Sequence, residues 1–410
     1  MAYSRELLQR YLSDGEYTCL TCPYCNGTRD PTPKFPRPSP YDFWRSIGSP
    51  KHVCAPMVEQ SELPFRMLCR RYGVDLAYTP MLHSRSFAES AEYRRREFST
   101  DPKDRPLFVQ FCGHDADTVL AAARYVEDQC DAVDINLGCP QGIAKRGFYG
   151  SFLMEHWDII HTIIHTLHVE LKCPVTAKMR IFDDIDLTVR YAKMLRDAGA
   201  VVIAVHGRTR EMKGQQTGLA DLAAIKQVRE ALGNSVPVIE NGNVLTFSDV
   251  AKNIDETGCD AVMSAEALLW DPRIFADPQR PVLTGRSFHC DKPTRLDAIQ
   301  TALEYLQFVR TYPVDLSFAK AHLFKIVYHS YEVHPTMRNN LGNFDIHTND
   351  LSFLWGHLLE LQKMEETSDV TGSLPQTQKE AKQVLRKEED ALFDEILGTC
   401  SIDFSDYSGE

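Results

Sequence analysis

The sequence has no apolar run approaching the length needed to cross a bilayer, which excludes a membrane-spanning helix as an organising element. Its first residues, MAYSRELLQRYLSDGEYTC, hold three acidic groups and no apolar block, so neither a secretory signal nor an Arg-rich transit peptide is expected. Twelve cysteines in 410 residues are too few for a disulfide scaffold, and without an export signal they are expected to be reduced thiols of an intracellular protein, cytoplasmic or nuclear. Excess basic charge is lacking too, and a net charge of −12 counts against a nucleic-acid partner. That charge is unevenly placed, however. From Glu388 to the end there are eight acidic residues and no Lys or Arg, so the rest of the chain carries only −4. This leaves room for local basic patches such as Arg94-Arg95-Arg96, Lys145-Arg146 and Arg208-Thr209-Arg210.

What is present is a regular alternation. Eight short apolar runs, HVCAP from 52, DLAYTP from 75, LFVQF from 107, AVDINLG from 132, PVTAKMR from 174, AVVIAVHG from 200, PVIENG from 237 and CDAVMSA from 259, are separated by amphipathic stretches. Leu187, Ala192, Leu195 and Ala198 mark one helix face, and Ser61 is the expected N-cap of a helix ending near Tyr72. Eight strand–helix units over about 210 residues predict an α/β fold, a closed (β/α)8 TIM barrel, followed by a smaller helical domain. An open doubly wound sheet is the alternative. It lacks support because no Gly-x-Gly-x-x-Gly follows the first strand. The expected organisation is an amino-terminal extension over 1–50, the barrel over 51–288, helices over 289–365 and an acidic, disordered tail over 366–410.

A barrel directs attention to the carboxyl ends of its strands, where active sites of this architecture form. Those ends carry Pro56, Met57, Gln110, Asn136, Cys139, Lys178, Arg180, His206, Asn241, Gly242 and Asn243, then Ser264 to Ala267. Solvent-facing strand ends explain one or two polar groups more readily than a ring of amide, thiol, ammonium and imidazole. In DINLGCPQGIAKRGFYG, Gly138 is able to take a positive φ and Pro140 fixes its own, so the turn aims the Cys139 thiol. After the last two strands, Asn241-Gly242-Asn243 and Ser264-Ala265-Glu266-Ala267 offer backbone N–H groups of the kind that hold phosphate. Lys178 and His206 would project over the mouth, where a fixed ammonium stabilises a reduced, electron-accepting ring. Together these features point to a phosphorylated redox cofactor across the barrel top.

APM at 55–57, the Gln110 strand, N-x-G-C-P at 136–140, KMR at 178–180, HGRT at 206–209 and NGN at 241–243 occur in the order found in flavin-dependent tRNA-dihydrouridine synthases. The resemblance covers about residues 50–345. FWRSIGSPK, APMVEQSELPFR, YTPMLHS, NLGCPQGIAKRG and MSAE are similar to the eukaryotic tRNA-dihydrouridine(16/17) synthase branch. It implies reduction of the C5=C6 bond of a uridine in tRNA, with FMN as carrier and NADPH as electron source. By the same resemblance Pro56, Met57 and Gln110 line the flavin, Lys178 meets its N1/O2 edge, and His206 contacts the cofactor. Asn241, Gly242, Asn243, Ala265 and Glu266 surround the phosphate. Asn136 places the uracil with Arg180 and Arg208, and Cys139 gives a proton to C5. A thiol suits that step because its ordinary pKa, near 8.5, keeps it protonated at neutral pH. Two positions depart from the branch: Phe148 stands where His is expected, and Ala267 where Gly is expected.

Outside the barrel, His322, Lys325 and His329 share a helix face and Arg338 follows. In the resembling family this region is a tRNA-binding domain, with Lys325 and Arg338 as candidate contacts. Residues 291–365 carry seven Lys or Arg against nine Asp or Glu, so any tRNA face there is a local stripe. Cys19, Cys22 and Cys25 in CLTCPYC have no second cysteine or histidine doublet nearby, and His161, His165 and His168 read as a polar helix face. No metal is assigned to either group. A flavin barrel acting on a small molecule, and a tRNA-binding scaffold without turnover, remain as alternatives.

Overall fold

The computed structural model describes Leu8, Tyr11 and residues 17–19, 21–276, 294–345 and 350–367. Eight parallel strands close into a barrel: β1 (His52–Cys54), β2 (Leu76–Tyr78), β4 (Leu107–Cys112), β5 (Ala132–Leu137), β6 (Val175–Arg180), β7 (Ile203–His206), β8 (Val238–Asn241) and β9 (Ala261–Ser264). Closure comes from β1 pairing with both β2 and β9, and from β2 pairing with β4. A two-residue β3 (Leu82–His83) resumes the line of β2 along β4 after a break at Thr79-Pro80-Met81. Pro80 has no N–H to give to a ladder, which accounts for the break. Each expected run thus forms one barrel strand.

Alternation along each strand sorts the side chains. Val53, Leu76, Tyr78, Phe108, Ala132, Val202, Ala204, Ile239, Ala261 and Met263 form one apolar cluster, whose lower end is closed by Phe43 and Trp44. Both come from the helix Pro40–Ser46, and Phe43 stacks on Phe108 at 6.1 Å. Burying rings of this size contributes about 1.5–3 kcal/mol each, enough to fix that short helix in place. The polar residues follow the apolar ones along the same strands, so chain direction places them all at the opposite, open end. The other side of the sheet packs on outer helices, including Trp157–Glu170 and Ile185–Asp197. Leu187, Ala192, Leu195 and Ala198 are all buried, as expected. The N-cap of Leu63–Arg71 is Glu62, not Ser61. The Ser61 hydroxyl instead accepts from the Met57 N–H at 3.0 Å and holds the loop after β1.

Helices Arg295–Thr311, Leu316–Ile326, Tyr328–Val333, Pro335–Gly342 and Leu351–Thr367 form a second layer against the barrel. Their apolar residues are continuous with Phe65, Leu68, Tyr72 and Phe275. At this contact Glu62 accepts from Tyr305 Oη at 2.8 Å and meets His322 Nε2 at 3.0 Å. His322 stacks on Phe65 at 4.3 Å and is fully buried, so it belongs to this contact and not to an exposed basic face. The boundary at 288/289 and the tail from 368 lie outside the described residues, and among those described no helix is long and apolar enough to cross a membrane.

Candidate active site

The open end of the barrel is organised from the interior outward by one hydrogen-bond chain. Asp134, fully buried on β5, accepts from Gln110 Nε2 at 2.8 Å and Thr176 Oγ1 at 2.7 Å. Gln110 Oε1 in turn accepts from Asn136 Nδ2 at 2.8 Å. That leaves Asn136 Oδ1 to accept the N–H of Gly138 at 3.1 Å and of Cys139 at 2.9 Å. The amide flips of Gln110 and Asn136 are therefore fixed by a carboxylate deep in the barrel. Burial raises the Asp134 pKa to about 6, against the hydrogen bonds from Gln110 and Thr176 that hold it down.

The Gly138-Cys139-Pro140 turn is held at every carbonyl. Gly138 O accepts from Arg180 Nε at 2.7 Å, Cys139 O from Ser151 Oγ at 2.9 Å and Ser151 N at 3.0 Å, and Pro140 O from Lys213 Nζ at 2.7 Å. The expectation that Gly138 uses a positive φ is corrected: Gly138 is not among the positive-φ glycines, and hydrogen bonds fix the turn instead. The glycine that geometry requires is Gly150, at φ +64°. A Cβ there would sit 2.7 Å from Cys139 O and 2.9 Å from its Cβ. Gly150→Ala is therefore expected to displace the cysteine turn and lower turnover at least 10-fold while cofactor content stays near parental. Parental turnover in Gly150→Ala would show that the turn tolerates displacement.

Cys139 is half-buried, and burial raises its thiol pKa against the Gln141 N–H and the cations Arg180, Lys178 and Lys213. Lys178, two residues before Arg180 on the same side of β6, has no hydrogen bond or ion pair among the described residues. Burial and the neighbouring Arg180 lower its pKa to about 8, while Asp134 opposes them. His206 accepts from Arg208 Nη1 at 2.9 Å through Nε2, which assigns its proton to Nδ1. Burial, with Arg180, Lys178 and Arg208, holds its pKa well below the usual value, so the imidazole is neutral. Cations thus outnumber the one central carboxylate, a field that favours an anionic guest.

The remaining sequence candidates separate into groups. Pro56 and Met57 lie half-buried beside the mouth, in the loop that Ser61 holds. Asn241 donates to Met263 O at 3.1 Å, which ties the ends of β8 and β9 together. Gly242, at φ +144°, packs where a Cβ would meet the Ala220 Cβ at 2.3 Å. Asn243 spends its side chain on both the N–H and the carbonyl of Ala220, at 2.9 Å each, leaving only its backbone for a ligand. Ala265 and Glu266 open the five-residue helix Glu266–Trp270. Ala267 is buried in the core shared with the helical layer, which is where its methyl group goes. Arg180 also donates to Thr209 O at 2.7 Å, and Arg208 to Gly218 O at 3.2 Å. Phe148 takes φ +52° and packs edge-on to His156 at 5.0 Å. Lys325 reaches Gln60 Oε1 at 3.3 Å in the mouth loop, whereas Arg338 is exposed on Pro335–Gly342.

Sequence reasoning missed Asp134, Thr176, Ser151 and Lys213. Asp134 carried a signal, being the acidic residue two before Asn136 on an otherwise apolar strand. Lys213 carried none, because loop spacing does not reveal which carbonyl a lysine will reach.

A family profile described as dihydrouridine synthase (Dus) matches residues 53–354. The chain is 45% identical over 341 residues to a Schizosaccharomyces pombe protein named tRNA-dihydrouridine(16/17) synthase with the label NAD(P)(+), covering 80% of this chain and 83% of that one. It is 48% identical over 306 residues to the Saccharomyces cerevisiae protein of the same name, covering 73% and 70%. A Mus musculus protein with that name and the suffix "-like" is 46% identical over 311 residues, covering 75% of this chain and 62% of its own length. The matched region contains all of the barrel but its first strand residue, the cysteine turn and the helical layer up to the start of the last helix, and on this ground the chain belongs to the dihydrouridine synthase family.

Proposed function

We propose that this protein reduces the C5=C6 bond of uridine at D-loop positions 16 and 17 of tRNA, using FMN and NADPH. The observation that carries the reading is the pairing of a rigidly held thiol, Cys139, with an ammonium, Lys178, that has no hydrogen bond or ion pair among the described residues, on adjacent strands of one barrel mouth. The residues present fit a flavin phosphate. Lys178 would meet the electron-rich edge of the ring, Pro56 and Met57 would border it and His206 would offer Nδ1–H, while Gln110, fully buried with both amide atoms bonded to Asp134 and Asn136, would support the site from behind. The backbones of Gly242, Asn243, Ala265 and Glu266 are available to the phosphate. When bound, the flavin supplies hydride to C6 of the uracil.

The protein's own task is to complete the reduction. Charge pushed toward the C4 carbonyl makes C5 basic, and Cys139 Sγ gives it a proton. Because burial raises the thiol pKa, the acid stays loaded at neutral pH. Asn136, oriented by Gln110 and Asp134, positions both the cysteine turn and the base. Arg180 and Arg208, with donors committed to backbone carbonyls and to His206, serve the substrate by holding the loops that surround it. The base must leave its stack to reach this depth, at a cost of a few kcal/mol that pocket and phosphate contacts offset. Lys325, at the seam with the mouth loop, and the exposed Lys145, Arg146 and Arg338 supply the phosphate contacts. Such a protein works in the cytoplasm or nucleus, where tRNA is available.

The test is to incubate purified protein with NADPH and tRNA lacking dihydrouridine, then map the product by mass. Dihydrouridine at 16 and 17, with FMN released on denaturation, is the expected outcome. A yellow protein that oxidises NADPH without modifying tRNA would favour a small-molecule flavin enzyme, and a colourless tRNA binder would favour the scaffold.

A further inference from the structure

The amino-terminal segment brings three cysteines against the outer face of helix Trp157–Glu170, far from Cys139 in sequence and on a different part of the barrel. The segment is docked there independently of its sulfurs. Tyr17 Oη donates to Asp158 at 2.5 Å, Tyr24 Oη to Glu170 at 3.1 Å, and Lys34 pairs with Glu170 at 2.6 Å. Between these anchors the chain folds into a knuckle, with Asn26 N–H donating to Cys22 O at 3.0 Å and Gly27 at φ +78°.

In this knuckle the Sγ atoms of Cys22 and Cys25 and a ring nitrogen of His161 all lie within 4.8 Å of one another. Ligand atoms around a tetrahedral zinc stand roughly 3.5–3.8 Å apart, given metal–sulfur and metal–nitrogen bonds of about 2.3 and 2.0 Å. A contraction of about 1 Å therefore completes the geometry. Cys19 approaches the same imidazole from its own side. Its sulfur receives the N–H groups of Thr21 and Cys22, as the sulfur of Cys22 receives those of Tyr24 and Cys25. N–H groups two and three residues after a cysteine, aimed at its sulfur, are the outer-shell support that a metal-bound thiolate uses. His161 is 7% exposed and its Nδ1 has no hydrogen-bond partner among the described residues. Core packing alone does not account for a buried imidazole surrounded by three thiols with a ring nitrogen unsatisfied, which costs about 1–3 kcal/mol.

We propose that Cys19, Cys22, Cys25 and His161 bind one zinc ion, in a Cys3His site that fastens the amino-terminal extension to the barrel. The donor set, soft thiolates with one imidazole, selects zinc over oxygen-seeking cations. The ion replaces the thiol protons and any imidazolium proton, which pass to solvent, so affinity falls on acidification. Cys25, the exposed member, marks the entry path. The site joins residues more than a hundred positions apart, cross-linking the extension to the helix that follows the Cys139 loop.

The experiment uses the full chain purified under reducing conditions without chelator. Elemental analysis is expected to give about one zinc per chain. Replacement by Co2+ is expected to give the visible absorption of a tetrahedral, thiolate-rich site. Cys25→Ser and His161→Asn are each expected to bind Co2+ at least 10-fold more weakly while retaining parental flavin content. That retained content separates metal loss from misfolding. Zinc-free protein that develops no such absorption with Co2+ would overturn the proposal. So would unchanged zinc in both variants, which places the metal elsewhere, or a Cys22–Cys25 disulfide that persists with equimolar zinc present.

Discussion

Cys139→Ala is expected to keep its flavin and its reduction by NADPH, and to lose about 10²–10⁴-fold in the rate of uridine reduction, the usual contribution of a positioned acid. The separation follows from the structure. The Cys139 backbone, not its thiol, donates to Asn136 Oδ1 and accepts from Ser151, so removing Sγ leaves the turn in place. Lys178 and the ends of β8 and β9 are untouched. Cys139→Ser tests the acid itself. A hydroxyl occupies nearly the same space but gives up its proton far less readily, so the serine variant should track alanine and not the parent. The pH profile carries a sign as well. Burial raises the thiol pKa above its ordinary value, so the parental rate should hold through neutral pH and fall only on the alkaline side, as the acid is lost. Parental turnover by the alanine variant, or a rate that rises with pH as the thiol ionises, would remove Cys139 from the acid role.

Sequence and structure agree most closely where a physical period was at work. Each barrel strand alternates or runs apolar over several residues, and their spacing by amphipathic helices leaves few topologies other than a closed barrel. Direction within a strand then places Gln110, Asn136, Lys178 and His206 at one end without any knowledge of contacts. The details of the cysteine turn were illegible for the opposite reason. Whether Gly138 bends by φ or is held by Arg180 depends on which side chains arrive from β6, from Ser151 and from the Lys213 loop, and loop contacts have no period. His322 shows the same limit. Its spacing with Lys325 and His329 fits an exposed basic face, yet Glu62 and Phe65 of the barrel draw it into the core. The nearness of His161 to Cys22 and Cys25 is not legible in the sequence, because His161 lies more than a hundred residues away, on a helix whose own pattern offers three histidines and no means of choosing one.

Lys178→Met is the second variant with a large expected effect, and it reads the cofactor and not the substrate. A methionine of similar length preserves the stem packing and removes only the charge. Losing a hydrogen bond to a charged group costs about 1.5–3 kcal/mol, which corresponds to flavin binding roughly 10- to 100-fold weaker. The flavin that remains bound should have a lower reduction potential, because the fixed positive charge that favours its reduced form is gone. The free protein provides an independent readout. Lys178 is held at about 8, below its unfolded value, so between about pH 8 and 10 the unfolded chain binds more protons and stability rises with pH. Below that window the ammonium is a net cost, on the order of 1–3 kcal/mol at a site open to water. Flavin-free Lys178→Met should therefore be more stable than flavin-free parent at pH 7, and the two should converge above pH 10. Parental flavin affinity should weaken as pH passes about 8, since binding to the charged form then requires proton uptake, and the methionine variant should lose that dependence. A variant with unchanged flavin affinity and potential would place Lys178 at the rim with its ammonium in water. A variant with weakened flavin but lower stability at pH 7 would show that the lysine is needed by the fold as well as by the cofactor.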